Sequence, residues 1–224
     1  KINLYKGKIL FFLMGLLEGK KVLVIGSSKG IGFAVAELFL KNGAIVVLNS
    51  RKKSLEEMNE PEKVKKLMEE NKERCFYVSG DFSILEDSAR VVEESFRLMG
   101  GIDCLICNAG TSIVKPLKET SIEDYDKIFN VNFRGLYFAS KKFAELVGKR
   151  KFDASIIFTG SINGLQAEKN QSLYNSSKAA LHMLAQSLAL DLVDQGIRVN
   201  CVAPGFIATD LTKEAHENPK LAKQ

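Results

Sequence analysis

The chain has 224 residues, 46% hydrophobic and 26% charged, enough for one substantial core, and no Pro-rich or Ser-rich linker divides it. Its net charge of +5 comes from lysines scattered among glutamates, as between Lys63 and Glu73, with no tryptophan, no internal repeat and no interleaving of basic and aromatic residues. Nucleic-acid binding is argued against by that pattern, and a zinc site by two histidines, His182 and His216, without ligand-like company.

The apolar run Ile9 to Leu17 follows several lysines and superficially resembles a signal peptide. It is too short to span a membrane, and no small-residue cleavage site follows it. Met14 opens MGLLEGKKVLVIG, a natural start for a cytoplasmic α/β protein. Residues 1–13 are therefore expected to be an extension with no catalytic part, and residues 14–224 one α/β domain.

Apolar, β-branched runs then alternate with longer helical patterns. The strands are expected at Lys21 to Ile25, Ile45 to Leu48, Cys75 to Ser79, Cys104 to Cys107, Ser155 to Phe158 and Arg198 to Val202. The helices are expected at Ile31 to Lys41, Ser54 to Asn71, Ile84 to Met99, Ser121 to Val147 and Leu173 to Asp194. Six strands linked by five helices predict a doubly wound parallel sheet of the Rossmann type, with its ligand crevice at the carboxyl ends of the strands.

The first strand ends in Gly26-Ser27-Ser28-Lys29-Gly30-Ile31-Gly32, opening directly into a helix. Glycines there let the backbone approach a pyrophosphate whose charge the helix N-terminus favours. The second strand ends in Asn49-Ser50-Arg51-Lys52, where an NAD site would carry an acid for the ribose 2′-hydroxyl. Arg51 and Lys29 instead offer cations to a 2′-phosphate, so NADP(H) is the expected cofactor. Cys104 and Cys107 form C-x-x-C, but three residues apart on a strand their thiols point to opposite faces, as structural thiols would.

Tyr174 and Lys178 stand four residues apart on the last long helix, thirteen residues after Ser161. Positions i and i+4 share a helix face, which brings the ammonium near the phenol and predicts a lowered phenol pKa and a usable proton donor. Alone, Y-x-x-x-K is a frequent accident; with its neighbours it reads as carbonyl reduction by a nicotinamide cofactor.

From about Leu16 to Leu211 these residues resemble the short-chain dehydrogenase/reductase family, in its compact single-domain type. The resemblance implies a catalytic tetrad of Asn132, Ser161, Tyr174 and Lys178 and no metal. Ser161 would hold the carbonyl, Tyr174 would give the proton, and Lys178 would also bind the ribose hydroxyls. Asn132 would anchor a water linking Lys178 to solvent. It further implies cofactor contacts from Gly26, Ser28, Lys29, Gly30, Ile31 and Gly32, from Arg51, and from Asp81 and Phe82 at the adenine. Asn108, Ala109 and Gly110 would line the cofactor, while Pro204, Gly205, Ile207 and Thr209 would face the carboxamide. Singly, Ser161 or Asp81 could be helix caps and Asn132 a mid-helix polar residue.

The sequence departs from the family at Ile25, commonly threonine, and at Cys107, often asparagine. It also stops at Gln224, before the usual last helix and seventh strand. The pattern resembles 3-oxoacyl-[acyl-carrier-protein] reductases, the first expectation, with sugar and polyol dehydrogenases as the alternative and a non-catalytic dinucleotide sensor or scaffold as the reading from another class. The expected partners are a small carbonyl compound or acyl thioester and further copies of the chain, as a homodimer or homotetramer, with no nucleic acid and no membrane. The basic run Lys149-Arg150-Lys151 would suit an acidic carrier, or simply a helix C-terminus.

Overall fold

Apolar residues on both faces of a strand require cover on both sides, and the first strand meets that requirement. In β1 (Lys21–Ile25) the side chains of Val22, Leu23, Val24 and Ile25 are all fully buried. The structure, a computed structural model, describes residues 15–58, 60–148 and 153–209. The expectations for residues 1–13 and for Lys149 to Lys151, and the expected lack of a seventh strand towards the C-terminus, fall outside them.

Downstream of β1 come α1 (Gly30–Lys41), β2 (Ile45–Ser50), α2 (Pro61–Glu70), β3 (Cys75–Ser79), α3 (Leu85–Met99) and β4 (Cys104–Cys107). They are followed by α4 (Ile122–Phe129), a π-helical turn (Asn130–Arg134), α5 (Gly135–Val147), β5 (Ala154–Thr159), α6 (Ser172–Asp191) and β6 (Ile197–Val202). All six strands pair in parallel in the order β3-β2-β1-β4-β5-β6. The order reverses between β1 and β4, so the crevice opens beyond Ile25 and Cys107.

Alternation along the strands splits the core. Leu23, Ile25, Leu105 and Phe158 pack with Val91 of α3, Phe143 of α5 and Leu181 of α6. Val22, Val24 and Ile106 pack on the other face with Ala36 and Leu40 of α1 and Val64 of α2. Cys107 lies in the first cluster and Cys104 against the second, so the two thiols diverge as expected. Burial pushes Cys107 up to about 12 and Cys104 upward.

Two helices differ from expectation. α2 begins at Pro61 rather than Ser54, because the residue before a proline is driven out of the helical region, and Glu60 sits at φ −128°, ψ 63°. The helix expected from Ser121 to Val147 starts on a capping box between Ser121 and Asp124, then widens to a π-turn at Asn130–Arg134 before resuming. Among the described residues no helix is long and apolar enough to cross a membrane.

Candidate active site

A cleft of about 690 Å³ runs along the carboxyl ends of the strands. Its floor is made by the turns after β1 and β4, which the sequence fits together closely. Gly26 takes φ 73°, and a Cβ there would lie 2.8 Å from the Ala109 Cα. Asn108 Nδ2 donates to the Gly26 carbonyl at 2.8 Å. Gly32 does not reach the cleft: a Cβ there would lie 2.3 Å from the Gly26 oxygen, so its role is to let α1 close on the loop. Ser28, Lys29, Gly30 and Ile31 line the cleft at the α1 N-terminus, which has no side-chain cap and no acid in its first turn. Uncapped N–H groups there suit a pyrophosphate.

At one end stand Arg51, Asp81 and Phe82. Asn49, which sequence reasoning passed over, builds this end: its Oδ1 accepts from the Gly26 N–H at 3.2 Å and its Nδ2 donates to the Val78 carbonyl at 3.0 Å. Its signal was a polar residue at the end of an apolar strand, buried to 1% exposure. Asp81 caps no helix; Oδ1 accepts from both the Ser83 N–H and hydroxyl, a turn that fixes the carboxylate at the cleft wall. A second, more open groove of about 710 Å³ lies along β3 and α3 and shares Arg51, Gly80 and Asp81 with the cleft. None of the catalytic candidates lines it.

The other end gathers Ser161, Tyr174 and Lys178 with Asn108, Ala109 and Gly110 and with Pro204, Gly205, Ile207 and Thr209. Ser161 follows β5 and does cap a 3-10 turn, its Oγ accepting from the Asn163 N–H at 3.1 Å. Tyr174 is raised in pKa by burial, against the opposite pull of a hydrogen bond with Ser161. The expected lowering by Lys178 is therefore corrected: Lys178 Nζ lies 5.8 Å from the ring centroid and donates to the Thr159 carbonyl at 2.7 Å. Lys178 itself is 4% exposed, and burial lowers it to about 8.

Asn132 lies behind the cleft wall rather than on it. Its Oδ1 accepts from the Thr111 N–H at 2.8 Å, and its Nδ2 donates to the Thr111 carbonyl at 2.9 Å and to Ser177 Oγ at 3.0 Å. The π-turn aims this amide, clasping the loop after β4 to α6. Both amide hydrogens are thereby spent within the protein, and a water could be held only at the remaining acceptor site of Oδ1. His182 is a further neighbour the sequence did not disclose. Its Nε2 accepts from the Ser161 N–H at 3.4 Å, and a Cβ on Gly160 would come within 2.5 Å of it. Four residues after Lys178, it shares that helix face, which was the available clue.

Chemically, this end offers a hydroxyl, a phenol that keeps its proton at neutral pH, and a buried ammonium. The short chain dehydrogenase family model matches residues 20–220. Glucose 1-dehydrogenase of Gluconobacter oxydans is 35% identical over 206 residues, 92% of this chain and 76% of that protein. Tetrahydroxynaphthalene reductase of Pyricularia oryzae is 31% identical over 199 residues, 87% of this chain and 67% of that protein. Among solved structures, a short chain dehydrogenase from Burkholderia cenocepacia in complex with NADP superposes with a TM-score of 0.81 at 31% identity, covering 92% of this chain and 81% of that one.

Proposed function

The chain belongs to the short-chain dehydrogenase/reductase family, an oxidoreductase acting on CH–OH groups, and from that premise we propose that it interconverts a ketone and a secondary alcohol with NADP(H). The observation that carries the proposal is the meeting of Ser161, Tyr174 and Lys178 at one end of a cleft whose other end presents Arg51.

The residues present fit the cofactor. The uncapped α1 N-terminus and Gly26 would hold the pyrophosphate, Asp81 and Phe82 the adenine, and Arg51 and Lys29 a 2′-phosphate. Gly110, Pro204, Gly205, Ile207 and Thr209 would enclose the nicotinamide end. Bound NADPH supplies the hydride.

Ser161 donates its hydroxyl hydrogen to the substrate carbonyl, stabilising the charge that develops on oxygen. Tyr174, held protonated by burial, gives its proton to that oxygen. Lys178 offers an ammonium hydrogen towards the ribose hydroxyls while Thr159 holds it in place. Asn132 keeps the Thr111 loop against α6 and so fixes the floor beneath both. Retention of tyrosine and lysine together weighs against a non-catalytic sensor.

A 3-oxoacyl thioester is the first substrate proposed; the similarity to a glucose dehydrogenase supports a sugar or polyol as the second. NADPH consumption against a 3-oxoacyl thioester, keto-sugars and simple diketones, with NADH in parallel, decides between them. Absence of turnover despite NADPH binding would remove the enzymatic reading. A homodimer through α4 to α6 is supported by exposed Tyr125, Tyr137, Met183 and Leu190, and a monomeric mass in light scattering would refute it. Four free cysteines support a reducing compartment such as the cytoplasm.

A further inference from the structure

Gly160 to Asn163, the turn leaving β5, presents four successive backbone N–H groups, and each has a partner. Gly160 donates to the Val202 carbonyl at 2.8 Å and Ile162 to the Pro204 carbonyl at 3.0 Å, tying the turn to the end of β6. Asn163 donates to Ser161 Oγ within the turn, at 3.1 Å. The Ser161 N–H is the one bound by a side chain from another element, Nε2 of His182 on α6 at 3.4 Å. Ser161 is 8% exposed, so without the imidazole this N–H would be a nearly buried donor with no acceptor.

The sequence makes room for that contact. A Cβ on Gly160 would lie 2.5 Å from His182 Nε2 and 2.7 Å from Cys201 Sγ, so only glycine lets the ring come this close. Two polar neighbours are engaged elsewhere, Cys201 Sγ with the Val202 carbonyl at 3.9 Å and Lys178 Nζ with the Thr159 carbonyl at 2.7 Å. To accept from Ser161, Nε2 must carry no hydrogen, which makes His182 a neutral imidazole with its hydrogen on Nδ1.

Holding this peptide decides where the Ser161 hydroxyl points. Oγ has one hydrogen and two lone pairs, and it takes the Asn163 N–H while also meeting Tyr174. A pivot of the Ser161 peptide would carry the hydroxyl away from the carbonyl it serves, and misplacement by about 1 Å can cost about 10²-fold in rate. We infer that His182 is a positioning residue for the reaction, its neutral imidazole fixing the Ser161 peptide and so aiming the hydroxyl at the substrate carbonyl. The inference rests on the role proposed for Ser161.

The test compares wild type, His182→Leu and His182→Gln with NADPH and the best substrate among the thioester, keto-sugars and diketones. In His182→Leu, kcat falls about 10–100-fold. The KM for NADPH stays near wild type, because Arg51 and the α1 N-terminus are untouched. His182→Gln, whose Oε1 can accept the same N–H, restores most of kcat. Added to Ser161→Ala, His182→Leu costs little more, since residues that act through one group are not additive. Equal losses with and without the Ser161 hydroxyl, or a glutamine no better than leucine, overturn the inference and leave the oxidoreductase reading intact. Nitrogen–proton NMR correlation reads the contact without turnover, and with two histidines in the chain His182→Gln identifies the signal. A hydrogen on Nδ1 and a bare Nε2 are expected; a hydrogen on Nε2 overturns the inference whatever the variants do. A wild type that binds NADPH yet turns over none of these carbonyls overturns the oxidoreductase reading, and this role with it.

Discussion

Lys178 Nζ stands 5.8 Å from the centre of the Tyr174 ring and gives its hydrogen bond to the Thr159 carbonyl rather than to the phenol. The i, i+4 spacing placed the two side chains on one face without making them an ion pair. Burial consequently acts on each separately, raising the tyrosine and lowering the lysine, since desolvation disfavours whichever form is charged. The phenol is poised as an acid, and the ammonium is held in a place where an anionic, hydroxyl-rich ligand would stabilise it.

The buried lysine carries a stability signature. Its pKa falls from 10.5 to about 8 on folding, so between those values the folded protein binds fewer protons than the unfolded chain. Its contribution to stability therefore rises with pH across that window, and below pH 8 the whole cost, about 3 kcal/mol, is present. Cys75 and Cys107, pushed up to about 12, act in the opposite sense above pH 9, because the unfolded thiols lose protons first. The difference between Lys178→Met and wild type isolates the lysine. Urea unfolding of the cofactor-free proteins should show the variant gaining relative stability at pH 7, less about 1 kcal/mol for the lost Thr159 bond, and the gain should vanish by about pH 10.5. A difference independent of pH would show that Lys178 is not buried as a charge.

Tyr174→Phe removes one oxygen and keeps the ring. Loss of a general acid costs about 10²–10⁴ in rate. Turnover should fall by that factor, while NADPH binding, followed by fluorescence, stays near wild type. Retained turnover would remove Tyr174 as the proton donor.

The sheet was legible because each strand is a short apolar run bounded by polar turns, and the observed ends lie within two residues of the expected ones. The π-turn was not, since five residues of widened helix leave the 3.6 periodicity almost unchanged and the turn packs with a tertiary clasp, Asn132 on Thr111 and Ser177. The start of α2 was missed because Ser54 to Glu60 has helical propensity that Pro61 overrides. At the site, spacing gathered Ser161, Tyr174 and Lys178 into one place but could not show where Lys178 directs its hydrogen bond. That depends on the height of Thr159 at the end of β5. The contact of His182 with Ser161 has the same origin, the seating of α6 against β5 and β6.

Arg51 tests the cofactor reading. A guanidinium paired with a phosphate is worth about 1.5–3 kcal/mol, or roughly 10–100-fold in affinity. Arg51→Glu should raise the KM for NADPH by that factor and lower the KM for NADH, since the carboxylate can accept from a 2′-hydroxyl. Equal effects on both cofactors would mean that Arg51 reads no 2′-phosphate.

Gly30 and Gly32 separate backbone strain from collision. Gly30 takes φ 59°, yet a Cβ there would meet only Thr209 at 3.6 Å, an ordinary contact. Gly30→Ala should therefore cost the left-handed penalty of about 1–2 kcal/mol. Gly32 has no such angle, but its Cβ would sit 2.3 Å from the Gly26 carbonyl oxygen and 2.5 Å from Asn108 Nδ2, so α1 or both loops must move. Those two atoms form the bond that joins the β1 and β4 turns, at 2.8 Å. Overpacking costs about 1–3 kcal/mol in stability, but here the displaced atoms are the cofactor floor itself. Gly32→Ala should accordingly lose NADPH affinity out of proportion to its melting temperature, whereas Gly30→Ala should lose the two in step. The reverse ordering, measured by calorimetry and NADPH titration on both variants, would place the cofactor loop's requirement in backbone conformation rather than in the close approach of α1.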